Sequence, residues 1–133
     1  MTVKNIFDTM DYGTAPEDRG EALAWIADRG GIAGHYVNGQ WGPLRDNMPV
    51  NNPATGDRLA GQTIGTFDEV TAAVAAARKA QPKWEKLGGA ARARILYAIT
   101  RIMQKNARLL AVMESLDTGK PIREARDIDI PQA

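Results

Sequence analysis

Thr66-Phe67-Asp68-Glu69-Val70 and the alanine-rich run that continues to residue 77 form the stretch that predicts local structure most directly. The Thr66 hydroxyl can accept a hydrogen bond from the amide of Glu69, and the Glu69 carboxylate can reach back to the amide of Thr66, which makes a capping box. Apolar residues at helical spacing then share one face: Val70, Ala73, Val74 and Ala77. The pattern predicts a helix from residue 67, which we expect Pro82 to end or kink.

A second long helix is predicted beyond the glycine pair at 88–89, starting near Ala90. Its apolar residues form one stripe: Ile95, Ala98, Ile99, Ile102 and Met103. We expect a kink at Asn106, after which the apolar pattern resumes: Leu109, Leu110, Val112, Met113 and Leu116. Gly119 and Pro121 should end this helix, because glycine adopts the left-handed conformation of a helix end and proline cannot continue the helix.

The final residues, Asp129-Ile130-Pro131-Gln132, have the pattern of a helix start. An aspartate at the cap position is followed by proline in the first turn and by glutamine at the third helical position. The sequence ends one residue later. Because a single helical turn does not form on its own, we predict that the chain is a fragment of a longer polypeptide.

Towards the N-terminus, the sequence predicts one further helix. Thr14-Ala15-Pro16-Glu17 repeats the capping-box pattern, with proline in the first turn where its missing amide does no harm. The helix should span about 15–29 and pack against the rest of the protein through Trp25. Gly30-Gly31 should end it by adopting the left-handed backbone conformation.

Short strands are predicted between this helix and Thr66. Asn38-Gly39, within the segment 36–41, predicts a tight hairpin because both residues tolerate positive φ. Residues 48–51 and 58–64 are predicted strands on either side of a turn at 52–56. The fold expected for the chain is therefore mainly α-helical with a small antiparallel β layer.

Composition excludes several classes of protein. The 133 residues have a mass of 14.4 kDa, 44% are hydrophobic, and the formal net charge is +1, as in an ordinary globular protein. There is no cysteine, which excludes disulfides, zinc thiolates and a cysteine nucleophile within these residues. No apolar leader is present, and the longest mainly apolar uncharged stretch, 70–77, is too short to cross a bilayer. We expect a cytoplasmic protein without a membrane partner.

Basic residues are concentrated in the segment 78–108, which contains nine Lys or Arg residues and one acidic residue, Glu85. Four of the basic residues share one helical face: Arg94, Arg101, Lys105 and Arg108. A helical module that binds an anionic partner through 78–108 is therefore one hypothesis. A solvated helix face is favoured over it, and nucleic acid in particular is not expected, because no aromatic reading pattern accompanies the charges.

Three candidate catalytic motifs are assigned structural roles. His35, the one histidine, lies beside the predicted hairpin and is given no catalytic role. Ser115 lies on a helix with no histidine nearby in the pattern to activate it. Gly119-Lys120 lacks the glycine five residues earlier that a phosphate-binding loop needs, and Pro121 replaces the Ser or Thr that would bind magnesium.

Two further patterns give no cofactor or metal site. Gly61 and Gly65 do not complete a dinucleotide-binding fingerprint, so we expect them to ease a bend in a strand. Asp127 and Asp129 are interpreted as a solvated carboxylate and a helix cap, because no histidine or further acid converges on them. No metal-binding residue is assigned.

The order of the motifs resembles the N-terminal part of the aldehyde dehydrogenase superfamily, over about residues 36–130. The motifs that carry the resemblance are Asn52-Pro53-Ala54-Thr55-Gly56, Phe67-Asp68-Glu69-Val70 before a helix that reaches Trp84, Arg92-Ala93-Arg94-Ile95-Leu96, and Leu116-Asp117-Thr118-Gly119-Lys120-Pro121 with Glu124-Ala125 and Asp127. The leading segment Ile6–Gly13 further resembles the family sixteen branch.

The resemblance implies a parent protein of α/β fold, with a Rossmann-like domain that binds NAD or NADP, a catalytic domain and an oligomerisation segment. Residues 1–33 would be an N-terminal extension with one helix, and 34–133 the truncated start of the NAD(P)-binding domain. The parent would oxidise an aldehyde to a carboxylic acid through a cysteine thiohemiacetal, with help from a glutamate. Its partners would be the aldehyde, further copies of itself and, for this chain, the remainder of the parent polypeptide.

The resemblance places the catalytic and cofactor-binding residues downstream of the matched segment, so none is assigned here and the isolated chain is expected to be inactive. One position borders the parent's site: Ile130 matches a place that often lines the substrate tunnel, although core packing is favoured over that role. Some members of the family sixteen branch lack the catalytic cysteine. A noncatalytic dehydrogenase-like scaffold therefore stays open as a second hypothesis for the parent.

Overall fold

A computed structural model describes residues 17–45 and 48–133 of the chain. In chain order the elements are α1 Gly20–Ala27, β1 Ile32–Ala33, β2 Tyr36–Val37, β3 Gln40–Trp41, β4 Met48–Asn51, β5 Arg58–Gln62, α2 Phe67–Lys86, α3 Gly89–Lys105, α4 Ala107–Thr118, α5 Ile122–Glu124, a π-helical turn Ala125–Asp129, and α6 Ile130–Gln132. The described part is mainly helical with small β sheets, which confirms the fold predicted from the sequence.

Helix α1 begins later than predicted. Residues 14–16 of the predicted capping box lie outside the described residues, so the box stays a prediction, and the Glu17 carboxylate accepts a hydrogen bond from Arg126. Asp18 accepts from the amide of Gly20 at 3.1 Å, in the first turn. Helix α1 buries Ala22, whereas Trp25 is 37% exposed and lies under the guanidinium of Arg29, so the fully buried contact of this helix is Ala22.

The β layer consists of two small sheets. Strands β4 and β5 pair antiparallel on either side of the turn at 52–56, and β2 and β3 form the predicted hairpin, with φ of +52° at Asn38 and +79° at Gly39. The antiparallel layer is thus confirmed. Strand β1 was not predicted, and it pairs with β5 in parallel, since two residues give too short a pattern to recognise.

The two long helices have the predicted starts. Thr66 and Glu69 form the capping box, with the Thr66 amide donating to the Glu69 carboxylate at 2.8 Å. Helix α2 does not end at Pro82, because one missing amide donor does not stop a helix whose neighbouring residues favour helix, and it continues to Lys86. Helix α3 starts at Gly89, and the break predicted at Asn106 separates it from α4.

The buried apolar residues lie where α1, α4 and the π-helical turn meet: Ala22, Ala111, Val112 and Ala125. Neither α2 nor α3 contributes a buried residue. The apolar stripe predicted on α3 is therefore helical, but the described part of the chain buries none of its residues fully. No helix among the described residues has the length and apolar character needed to cross a membrane.

The helix start predicted at Asp129 is wrong. The chain is already helical from Ile122, Asp129 has helical backbone angles, and its side chain makes no cap hydrogen bond. The carboxylate instead binds the ammonium of Lys120, with 2.5 Å between Nζ and Oδ2. A nearby cation competes for the carboxylate, and in the middle of a helix there is no free amide for an aspartate to cap.

Candidate functional site

The turn between β4 and β5 is organised by Asn52, which is buried. Its Oδ1 accepts from the amide of Ala54 at 2.9 Å, and its carbonyl accepts from the amide of Gly56 at 2.7 Å. Gly56 has φ of +78°, a conformation that glycine adopts without steric cost. The side chain and backbone of one asparagine therefore fix the conformation of the whole turn.

This turn packs against the turn that ends α4. Gly119 has φ of +74°, and a Cβ atom placed on it would lie 2.8 Å from Cγ of Pro53. The amide of Gly119 donates to the carbonyl of Ser115 at 3.0 Å, and the Ser115 hydroxyl donates to the carbonyl of Lys120 at 2.7 Å. Two segments that are far apart in sequence thus meet at a glycine that has no room for a side chain.

The ion pair of Lys120 and Asp129 links the turn that ends α4 to the π-helical turn. The hydrogen bond that the Lys120 ammonium donates to Asp129 raises the pKa of Lys120 above its ordinary value. The Lys120 ammonium therefore binds a carboxylate of the same chain. Ile130 follows Asp129 directly and is half-buried, so this ion pair helps to fix the position of Ile130.

Arg126 anchors the other side of the π-helical turn. Its guanidinium donates to Asp127 at 2.7 Å and to Glu17 at 2.7 Å, which connects the start of the described chain to its last helical segment. These hydrogen bonds lower the pKa of both carboxyl groups below their ordinary values. Asp127 and Asp129 pair with different cations, and the described residues contain no cluster of three or more metal-ligating side chains.

A second polar cluster joins the loop before β4 to the start of α2. The hydroxyl of Thr63, only 1% exposed, accepts from the amide of Arg45 and donates to its carbonyl, each at 3.0 Å. The Arg45 guanidinium then donates to both oxygens of Glu69, at 2.8 and 2.7 Å. This cluster could not be predicted from the sequence, because 18 and 24 residues separate Arg45 from its partners and no local pattern marks them.

The pair of Arg45 and Glu69 makes stability depend on pH. Hydrogen bonds from Arg45, and then from the amide of Thr66, lower the pKa of Glu69 from 4.5 to about 2. A carboxyl group whose pKa is lower in the folded state stabilises the protein above its unfolded pKa, and this contribution disappears as pH falls from about 4.5 to about 2.

We therefore expect Glu69→Gln to lower the melting temperature at neutral pH and to weaken its decline between about pH 4.5 and 2. Melting temperatures measured by circular dichroism across this range check the prediction. Glu85→Gln is the matched control, because Glu85 accepts from the neutral amide of Gln81. Parallel pH profiles for the wild type and Glu69→Gln would contradict the assignment.

His35, Gly61 and Gly65, which the sequence patterns singled out, pack against neighbouring residues. The carbonyl of His35 accepts from the amide of Gly42 at 2.8 Å, and the His35 ring lies beside Gly65. Gly61 is buried in the centre of the three-stranded sheet, between Ile32 and Pro49. These contacts place Gly61 in the sheet and Gly65 in the loop before α2, packed against His35.

The basic segment 78–108 is partly engaged within the chain. Arg92 donates to the carbonyl of Leu87 at 2.9 Å and to that of Glu85 at 3.3 Å, and Arg101 donates to Gln104. Lys105 and Arg108 line a shallow polar depression where α3 passes into α4. Binding of an anionic partner by this segment stays a prediction.

Residues 41–133 match the family model described as aldehyde dehydrogenase family. The chain belongs to the aldehyde dehydrogenase family. The match contains both packed turns, the polar cluster of Arg45, Thr63 and Glu69, and the π-helical turn. It starts after Ile6–Gly13, so the family sixteen branch stays a prediction, as does the division of the chain at residue 34.

Relatives with named activities are similar to the same region. The chain is 37% identical over 99 residues to 5-carboxymethyl-2-hydroxymuconate semialdehyde dehydrogenase of Escherichia coli, which covers 74% of this chain and 21% of the relative. It is 40% identical over 94 residues to betaine aldehyde dehydrogenase of Rhizobium leguminosarum bv. trifolii, covering 69% and 19%. For betaine aldehyde dehydrogenase of Mesorhizobium japonicum the identity is 40% over 105 residues, covering 76% and 21%. The chain thus spans about a fifth of the length of these curated relatives.

Proposed function

We propose that the chain forms part of an NAD(P)-dependent aldehyde dehydrogenase that oxidises an aldehyde to a carboxylic acid. The observation that carries the proposal is the family match over 41–133. It is supported by relatives whose names specify oxidation of a semialdehyde and of betaine aldehyde. The full-length enzyme is the polypeptide that contains these residues together with the remainder of such a dehydrogenase.

The glycine–lysine turn of this chain does not fit the phosphates of a nicotinamide cofactor. The one glycine–lysine turn resembling a phosphate loop is filled, because Pro53 lies against Gly119 and the Lys120 ammonium binds Asp129. The chain also has no cysteine for a covalent intermediate. Cofactor binding and bond chemistry therefore belong to the remainder of the full-length enzyme, and this chain has a supporting role.

The contribution proposed for this chain is one wall of the substrate site at Ile130. The side chain is half-buried and lies at the end of a π-helical turn, a distortion that is frequent at functional sites. Ion pairs on both sides of the turn, at Arg126 and Lys120, limit its movement. An aliphatic side chain held in this way could contact the apolar part of an aldehyde and exclude water from it.

The activity is tested by measuring aldehyde-dependent reduction of NAD⁺ and NADP⁺ with the purified full-length enzyme, using betaine aldehyde and aliphatic aldehydes as substrates. We expect turnover with at least one aldehyde, and no turnover with the 133-residue chain alone. Absence of turnover with every aldehyde, by a folded protein, would favour the noncatalytic scaffold. Turnover by the isolated chain would contradict the supporting role.

The role of Ile130 gives a separate prediction. Ile130→Val removes one methyl group from the proposed substrate wall, and we expect kcat/KM to change by about tenfold for some aldehydes of a size series. Ile128→Val is the matched control, because Ile128 is exposed on the same turn and should leave the selectivity unchanged. An identical effect of the two substitutions, or no effect of either, would show that Ile130 does not contact the aldehyde.

A further inference from the structure

The hairpin of β2 and β3 carries an asparagine followed by a glycine at its tip. Asn38 and Gly39 are the two turn residues, both are exposed, and Val37 pairs with Gln40 directly across them. Apart from its chain neighbours, no described residue has an atom within 4 Å of the position that a Cβ on Gly39 would take. The backbone nitrogen of Gly39 is therefore open to attack the side chain of Asn38.

An asparagine carboxamide reacts with the backbone nitrogen that follows it when the two come together. The nitrogen of Gly39 loses its proton to solvent and bonds to Cγ of Asn38, the bond from Cγ to Nδ2 breaks, and ammonia leaves. The product is a five-membered succinimide ring. Water then opens the ring at one of its two carbonyls, which gives aspartate or isoaspartate. One water is consumed and one ammonia is released, with no oxidation or reduction.

We propose that Asn38 is a site of spontaneous deamidation and that the pairing of β2 with β3 restrains the reaction. Ring closure requires rotation about the backbone bond between Cα and the carbonyl carbon of Asn38. The hairpin opposes this rotation, because its strands are paired and the amide of Gly42 donates to the carbonyl of His35 at 2.8 Å. Each strand has only two residues, so the hairpin opens at low cost and the reaction proceeds from the open form.

Two other asparagines show why the reaction is specific to Asn38. Asn52 precedes Pro53, whose nitrogen carries no hydrogen, and its Oδ1 accepts from the amide of Ala54 at 2.9 Å. Asn106 precedes an alanine, and its Nδ2 donates to the carbonyl of Ile102 at 2.8 Å. Both carboxamides are held by a hydrogen bond, and neither precedes a glycine.

The two products differ in their effect on the hairpin. Aspartate followed by glycine fits the same type of turn, so this product adds a negative charge and leaves the hairpin formed. Isoaspartate lengthens the backbone by one methylene group and shifts the register of the strands. The ring centroids of Tyr36 and Trp41, which face each other across the strands at 5.1 Å, should then move apart. Neither product depends on aldehyde turnover, so this inference stands apart from the proposed function.

Peptide mapping of the full-length enzyme tests the proposal. After incubation at mildly alkaline pH, trypsin releases the peptide 30–45, in which Asn38 is the one asparagine. We expect this peptide to show the mass gain of deamidation at Asn38 and to be methylated by an isoaspartate methyltransferase. The reaction should be roughly tenfold slower in the folded enzyme than in urea, where the hairpin is open.

Variants separate the chemistry from the fold. Gly39→Ala should slow the reaction roughly tenfold in urea, where the turn itself plays no part, because the added Cβ hinders attack by the nitrogen. Asn38→Asp should show no mass gain and should keep the tryptophan fluorescence of the wild type. Absence of deamidation at Asn38 in urea, or faster reaction at Asn52 or Asn106, would overturn the site. Equal rates in the folded and unfolded enzyme would overturn the restraint by the hairpin.

Discussion

Replacing Gly119 by valine should destabilise the full-length enzyme by roughly 2–5 kcal/mol. Two costs add. Gly119 has φ of +74°, which a β-branched residue adopts only with strain, and a Cβ would lie 2.8 Å from Cγ of Pro53. Chemical unfolding in urea, with circular dichroism as the signal, measures the loss.

Gly88→Val is the matched control for this prediction. Gly88 has φ of −56°, and no atom lies within 4 Å of the position of its Cβ, so the same substitution should have little effect there. Adding Pro53→Ala to Gly119→Val should recover part of the stability, because it removes the atom that clashes. Equal unfolding midpoints for Gly119→Val and the wild type would refute the packing of the two turns.

Replacing Thr63 by valine should have the second largest effect, a loss of about 1–3 kcal/mol. The substitution preserves the shape of the side chain and removes a buried hydroxyl that bonds both the amide and the carbonyl of Arg45. Both backbone groups would lose their partner in a place that water reaches poorly. The same urea experiment measures the loss, and the change in the slope of unfolding should be small.

Thr63→Ser separates the hydroxyl from the methyl group. Serine keeps the two hydrogen bonds and loses only the methyl group, so it should be less destabilising than valine. If Thr63→Val proves as stable as the wild type, or if serine is the worse substitution, the hydrogen bonds to Arg45 do not stabilise the loop before β4. Because Arg45 also holds Glu69, Thr63→Val should further weaken the dependence of stability on acid pH.

Features formed by neighbouring residues were predictable. The capping box of Thr66 and Glu69 and the hairpin turn at Asn38-Gly39 each depend on contacts between residues no more than five apart. Such contacts leave a signature in the sequence at fixed spacing. The helix end at Gly119 was predictable for the same reason, since its left-handed conformation follows directly from its place after α4.

Contacts between distant residues were not predictable from these patterns. The approach of Gly119 to Pro53, and the ion pair of Arg126 with Glu17 across 109 residues, have no spacing that a single sequence reveals. The cap wrongly assigned to Asp129 has the same origin. Its local pattern was that of a helix start, and the competing partner, Lys120, lies nine residues away.

The apolar stripe of α3 shows a third limit. Periodicity correctly predicted which residues share the face, but periodicity describes only the helix and not the surface that covers it. Ile130 is similar, because the resemblance assigned it to a substrate wall and the structure adds a half-buried position beside a π-helical turn. In both cases the missing information is the identity of the packing partner.

The intact mass of the protein from its native source tests most directly the claim that these residues belong to a larger aldehyde-oxidising enzyme. Mass spectrometry of material identified by peptides from 66–133 should give a mass several times 14.4 kDa, as expected from relatives of which the match is about a fifth. A mass of 14.4 kDa would contradict the account, because a chain of that size without cysteine could not carry out the proposed chemistry.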